Sequence, residues 1–263
     1  MDWLDLKASD FYKIDPHKTI AVLPTAAIEQ HGPHLPVGTD TIIGQGMLEE
    51  SKRILPKELD VRILPIQTIG KSNEHIWEYG TLTLTAETAL HAWTEIGNSV
   101  ARSGIKKMVI VNSHGGNLDL ISIVGRELRI QHGMFVVKCQ WGNFGYPPDL
   151  YSSYEQTYGI HGGDVETSLV LHFRPELVDM ALAQNFQSSA ETTPFSPVGM
   201  TSYSWIAKDV NPSGTVGEAA KATAKKGHLT ASHQAMGFVN LLQKVAHTDI
   251  SHFNPATQPQ GQN

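Results

Sequence analysis

The amino-acid sequence predicts an α/β fold built on an open, mostly parallel sheet with helices on both faces. Three observations predict it. Short apolar runs fall at 19–23, 61–66, 106–111 and 134–139, each the length of a buried strand and rich in Val, Ile, Leu and Met. Stretches with apolar residues at helical spacing separate these runs, as βαβ units require. Loops dense in His, Asp, Glu, Asn and Gly follow the strands, at the carboxyl ends where parallel sheets bind ligands.

Taken in order, residues 1–18 read as an amphipathic lead-in that Trp3, Leu6 and Phe11 dock to the body. The first strand (19–23) runs into a turn-rich polar stretch. Residues 41–55 then carry Ile42, Ile43, Met47, Ile54 and Leu55 at helical spacing and stop before Pro56. The second strand (61–66) leads to Gly70-Lys71-Ser72-Asn73-Glu74-His75, and residues 81–84 alternate as a short strand. Thr85 is an N-cap for a helix reaching about residue 103, with Leu90, Trp93, Ile96 and Val100 on one face. The third strand (106–111) ends in Asn112-Ser113-His114-Gly115-Gly116-Asn117, and Asn117 starts a helix to about residue 132.

The fourth strand (134–139) opens an aromatic connection over 141–160, with Trp141, Phe144, Tyr146, Tyr151, Tyr154 and Tyr158, read either as a lid or as a subunit contact. A helix opening at 161–168 stops before Pro175. Residues 180–216 are irregular, anchored by Phe195, Tyr203 and Trp205, and 218–245 form the last long helix. No linker or composition shift divides the chain, so residues 1–250 form a single domain; residues 251–263 have the composition of a disordered tail.

Composition narrows the function. A formal charge of -6 without a Lys/Arg cluster argues against nucleic acid. The N-terminus lacks a signal-peptide pattern, and no apolar run is long enough to cross a bilayer. The single Cys139 cannot form an internal disulfide, so a reducing, cytoplasmic setting is expected, with the thiol buried at the end of a strand. No Gly-x-Ser-x-Gly elbow supports a serine hydrolase, and Gly115-Gly116 lacks the flanking residues of a phosphate loop.

Thirteen histidines make imidazole chemistry the place to look. In extended chain, Glu29 and His31 share a face while Gln30 turns away. Gly32, Pro33, Pro36 and Gly38 force a turn that can return Asp40 beside them, at a helix start that favours a carboxylate. Two carboxylates and an imidazole from one loop suit a divalent metal; a rigid loop with solvated charges is the plain alternative. The loops holding Glu29, Ser72 and His114 converge on one end of the sheet. His34 reads as a supporting loop residue. His91, His132, His172, His228, His233, His247 and His252, spread over helices and tail, read as surface residues.

Three segments together carry a resemblance: Glu29-Gln30-His31-Gly32-Pro33-His34-Leu35-Pro36-Val37-Gly38-Thr39-Asp40, Asn112-Ser113-His114-Gly115-Gly116-Asn117 and His161-Gly162-Gly163-Asp164-Val165-Glu166-Thr167-Ser168. With Gly80-Thr81-Leu82-Thr83-Leu84 and Ser213-Gly214-Thr215-Val216-Gly217, the sequence resembles the creatininase (creatinine amidohydrolase) family over most of its length. The resemblance implies a three-layer α/β/α sandwich, a homohexamer and a pair of divalent ions, Zn, Mn or Fe. It also implies that Glu29 and His114 hold one ion and His31 the other, that Asp40 bridges them, and that His161 is the general acid/base. Two ions about 3.5–4 Å apart activate a bridging water and polarise a carbonyl.

The sequence departs from creatininases directly after His114, where they carry a tyrosine and a metal-binding glutamate and this chain has Gly115 and Gly116. Glu166 is the expected replacement ligand, placed with His161 at the reacting centre; water is the alternative. Ser72, His75, Gly115 and Gly116 are assigned to substrate contact. The expected reaction is hydrolysis of a non-peptide C–N bond in a small-molecule amide, cyclic amide or formamide. Its rivals are a one-metal enzyme and a non-catalytic binding or assembly protein.

Overall fold

A computed structural model describes residues 1–253; the expected tail lies outside the described residues from 254 onward. β1 (Ile20–Thr25) is buried along its length and pairs in parallel with β2 (Val61–Ile63) on one side and β3 (Lys107–Asn112) on the other. β4 (Phe135–Gln140) extends the parallel sheet beyond β3, giving the order β2-β1-β3-β4. The helices are α1 (Thr39–Ile54), α2 (Ala86–Arg102), α3 (Leu118–His132), α4 (Ser153–Tyr158), α5 (Asp164–Phe173), α6 (Ala207–Val210) and α7 (Ala224–His247).

Side chains alternate across each strand, and the alternation sorts the core into two layers. Ile20, Val22, Val109 and Val111 pack with Met47 of α1, Leu169 of α5 and Phe238 and Leu242 of α7. Ala21, Leu23, Met108 and Ile110 pack with Trp93 of α2 and Val124 and Leu128 of α3. The result is the expected three-layer sandwich. Since α1 leaves β1 toward one face and α3 leaves β3 toward the other, the strand order reverses between β1 and β3. A crevice opens there, beyond their carboxyl ends.

Most boundaries follow local chemistry. The Thr85 hydroxyl accepts the Thr88 N–H and starts α2, and Trp3 stacks on Phe11 while packing against the α2/α3 layer, both as expected. Elsewhere the expectations need correction. β2 ends at Ile63 because Pro65 cannot donate to a ladder. Residues 81–84 make one isolated bridge, Leu82 to Ile28, rather than a strand. The last helix starts at Ala224, capped by Thr223. Gly217–Glu218 instead pairs as β6 with β5 (Asn185–Phe186), and the Glu218 N–H donates to buried Glu155 at 2.7 Å. Phe195 is 57% exposed and anchors nothing. The aromatic connection is fastened to α7: Trp141 and Phe144 meet Phe238, and the Tyr151 and Thr230 hydroxyls lie 2.7 Å apart. Among the described residues, no helix is long and apolar enough to cross a membrane.

Candidate active site

Four loops meet at the crevice. After β1 the chain folds back so that the Glu29 N–H donates to Val37 O at 2.8 Å, and α1 then begins with Asp40 in its first turn. His114 follows β3, and His161 and Glu166 arrive at the start of α5. Asn117 stitches three of these loops together. Its Nδ2 donates to Ala26 O at 3.0 Å and Asn112 Oδ1 at 3.1 Å, while its Oδ1 accepts the Lys71 N–H at 3.0 Å. The fourth loop is seated by Thr215, whose hydroxyl donates to His161 O at 2.6 Å. Thr215 also fills the space a side chain on Gly162 would need; Gly162 has φ +69°, a conformation only glycine adopts freely.

The side chains these loops carry form a compact polar cluster. His114 Nδ1 lies 3.2 Å from Glu29 Oε1 and 3.3 Å from Asp40 Oδ2. His31 Nε2 lies 3.5 Å from Asp40 Oδ1 and 3.7 Å from Glu166 Oε2. Two sets of three donors result, Glu29–Asp40–His114 and His31–Asp40–Glu166, each with ligand atoms within 4.8 Å of one another and with Asp40 common to both. His161 Nδ1, 3.5 Å from Glu29 Oε1, belongs to a third set with Glu29 and His31. Glu29, His31, Asp40, His114 and His161 are each at most 6% exposed, whereas the Glu166 side chain is 23% exposed.

The proton positions follow from the hydrogen bonds on the far side of each ring. His31 Nδ1 donates to Glu29 O at 3.1 Å, His114 Nε2 to Lys71 O at 3.0 Å and His161 Nε2 to Gln30 O at 2.7 Å. Each ring therefore turns its second nitrogen inward, at carboxylate oxygens, where it offers a lone pair to a cation or holds a proton in the cation's place. Both Glu29 oxygens, His31 Nε2 and Asp40 Oδ2 are buried without a hydrogen-bond partner. Acceptors facing acceptors in a dry site repel unless a cation lies between them, and orphaned buried polar atoms are costly otherwise. The donor set, oxygen and imidazole nitrogen without thiolate, fits divalent Zn, Mn or Fe.

The burial and charges around each ring create the same demand for positive charge. Burial alone would lower His31, yet Asp40, with help from Glu166 and Glu29, holds it up to about 9. Burial likewise opposes a charge on His114, and Glu29 and Asp40 override it and push it well above the ordinary value. Burial raises Glu166 to about 7 against the pull of His31. His161 differs: burial, reinforced by the charge on His31, drives it well below the ordinary imidazole value, so it stays neutral.

The remaining predicted residues fall nearby. Ser72 Oγ is 3.3 Å from His114 Nε2, on the side of the ring away from Glu29 and Asp40, and the His75 ring packs on His161 with centroids 4.3 Å apart. Gly115 lies exposed at the rim, while Gly116 packs against Glu74, Lys71 and His114. His34 sits behind the site, its Nε2 3.1 Å from Gly162 O and 2.9 Å from Thr167 Oγ1. The sequence reading missed Gln30, Asn117 and Thr215. Gln30 does not turn away: the 26–38 segment is a loop rather than a strand, and its side chain is 5% exposed between His75 and His161. The helix-start reading of Asn117 was the only sequence signal pointing to it.

Known proteins with this sequence pattern place the chain. Over 213 residues it is 30% identical to the mycofactocin precursor peptide peptidase of Mycobacterium ulcerans, spanning 78% of this chain and 77% of that protein. Over 177 residues it is 29% identical to the creatinine amidohydrolase of Pseudomonas putida, spanning 61% of this chain and 66% of that one. The solved structure "Creatininase Mn" superposes with a TM-score of 0.75 at 22% identity, covering 94% of this chain and 99% of its own, which establishes the shared fold. The sequence profile described as creatinine amidohydrolase matches residues 4–242, and with nearly the whole described chain inside that match, the protein belongs to the creatininase family.

Proposed function

We propose that this protein is a metal-dependent amidohydrolase that cleaves an amide-type C–N bond. One observation carries the reading: three buried imidazoles, each tethered through its outer N–H to a backbone carbonyl, turn their inner nitrogens to a carboxylate cluster in which both Glu29 oxygens and Asp40 Oδ2 have no hydrogen-bond partner. In this reading Glu29, Asp40 and His114 hold one divalent ion, His31, Asp40 and Glu166 hold the second, and Asp40 is shared. Glu166 takes the place of the carboxylate that the Gly116 position lacks. Bound there, the ions supply Lewis acidity to a carbonyl and lower the pKa of water.

The chain's own residues do the rest. His161, with its proton fixed on Nε2 by Gln30 O, presents a neutral Nδ1 inward. It accepts a proton from the attacking water and returns it to the departing nitrogen, because an amide anion leaves poorly. The C–N bond breaks and an acid and an amine leave. Ser72 and Lys71 O hold the His114 ring from behind, as partners that orient a ligand do. The exposed rim at Gly115 supports entry of substrate from that side.

The substrate class is an amide, cyclic amide or formamide. The peptidase and creatinine amidohydrolase relatives act on substrates whose shared feature is an amide bond, so short peptides join the panel. Exposed Ile76, Tyr79, Leu82, Phe195 and Met200 support a homo-oligomer, and sedimentation tests it. The deciding experiment is metal analysis of purified protein followed by the amide panel on metal-reconstituted enzyme. Two equivalents per chain with turnover on a panel member are expected. No bound metal and no turnover would leave the binding-protein reading. His161→Ala should retain metal and lose turnover by roughly 10²–10⁴-fold; undiminished turnover removes it from the mechanism.

A further inference from the structure

Four imidazoles surround the Glu29 carboxylate, and one of them is turned the other way. Two backbone groups fix the Gln30 carboxamide: its Oε1 accepts the Gly32 N–H at 3.0 Å, and its Nε2 donates to Gly214 O at 2.6 Å. The second proton on Nε2 is left pointing at His75 Nδ1, 2.8 Å away. An amide nitrogen offers no lone pair, so His75 Nδ1 is the accepting nitrogen and the ring carries its proton on Nε2. That nitrogen faces Glu29 Oε1 from 3.5 Å.

Where His31, His114 and His161 present lone pairs, His75 therefore presents an N–H. Gln30 Nε2 also lies 3.2 Å from His161 Nε2, but there donor meets donor, and the His161 proton goes to Gln30 O at 2.7 Å. One residue thus governs two rings, the first by its side chain and the second by its backbone. His75, 2% exposed, has no room to rotate out of this arrangement.

We propose that Gln30 is a positioning residue whose carboxamide sets His75 as an N–H donor toward Glu29. This keeps His75 from serving as a metal ligand and holds the Glu29 carboxylate turned toward Asp40 and His114. The consequence for turnover rests on the amidohydrolase reading above; the proton position does not.

The test is nitrogen NMR of ¹⁵N-labelled protein at neutral pH, metal-free and zinc-loaded, with wild type and Gln30→Glu. Wild type should show His75 protonated on Nε2 and unprotonated on Nδ1. In Gln30→Glu both side-chain oxygens can only accept, so the His75 proton moves to Nδ1. His161 keeps its proton on Nε2, since its backbone partner is untouched. On an amide substrate kcat should fall about tenfold with KM unchanged, the order of one lost hydrogen bond. A wild-type His75 protonated on Nδ1 overturns the proposal even where the variant fails to fold, and so does a folded Gln30→Glu with an unmoved His75 proton. A failed hydrolase reading shows separately, as absent metal and absent turnover in wild type.

Discussion

Replacing Gly116 with alanine adds one methyl group where the wall of the site has no room. The new Cβ would lie 2.5 Å from His114 Nε2 and closer still to Glu74 Oε1 and Lys71 O. The Glu74 carboxylate, paired with Lys71 Nζ at 2.8 Å, can swing aside. Lys71 O cannot, because the Lys71 N–H is held by Asn117 at 3.0 Å and the carbonyl itself holds His114. Overpacking against a fixed wall costs about 1–3 kcal/mol. Here the cost falls on the hydrogen bond that aims the His114 lone pair, so it shows as metal affinity weakened roughly 5- to 150-fold, at tenfold per 1.4 kcal/mol. Gly115→Ala is the internal control, since a Cβ there has nothing within 4 Å. The assay is zinc competition against a chromophoric chelator, with melting curves to confirm folding. Gly115→Ala should match wild type and Gly116→Ala should not. Equal zinc affinity in the two variants would refute a rigid wall behind His114.

Three other perturbations test neighbouring parts of the argument. Glu166→Gln should lower the zinc content by about one equivalent, and two retained equivalents would assign Glu166 a structural role only. Asn117→Ala removes three hydrogen bonds from a fully buried position, leaving Ala26 O and the Lys71 N–H without this partner and Asn112 Oδ1 with only the Thr25 hydroxyl. At ~1 kcal/mol per lost hydrogen bond the cost is about 3 kcal/mol, or a Tm lower by roughly 6–12 °C for a chain of this size, read by calorimetry. An unshifted Tm would mean the loops hold together without it. Burial pushes the Cys139 thiol up to about 12, so it stays protonated in the folded protein where an unfolded thiol already ionises. It should resist alkylation at pH 8 until denaturant is added, and its stabilising contribution should fade as pH rises from about 9 toward 12. Rapid labelling of native protein would contradict its burial.

How much of this the sequence disclosed depends on the range of the interaction. The four parallel strands and the cap at Thr85 are local patterns of apolar runs and hydroxyls, and they appear in the structure within a few residues. Glu29, His31, Asp40, His114, His161 and Glu166 were named from motif spacing and resemblance, and the fold brings all six to one crevice. Gln30 and Asn117 were hidden because their roles rest on partners far along the chain, Gly214 for one and Ala26 for the other. The start of α7 was misjudged for the same reason. Residues 218–223 read as helix by composition, but Glu155 and β5 claim the Glu218 backbone first.

The glycine pair after His114, where creatininases carry a tyrosine and a glutamate, has a physical account. A side chain at 116 has no room, since Glu74, Lys71 O and His114 close on it, so a carboxylate cannot enter the centre from that position. The second donor set takes its carboxylate from the opposite wall. Glu166 Oε2 accepts the Gly162 N–H at 2.6 Å, in the first turn of α5, where helix N–H groups favour an anion. His34 and Thr215 anchor that turn from behind, which ties the carboxylate to the same loop that positions His161. In the proposed two-ion reading, moving the ligand from the β3 side to α5 leaves Gly115 as a rim without a side chain. On that reading, a bare rim should admit a longer amide than a mouth closed by a tyrosine, and the amide panel reads the difference.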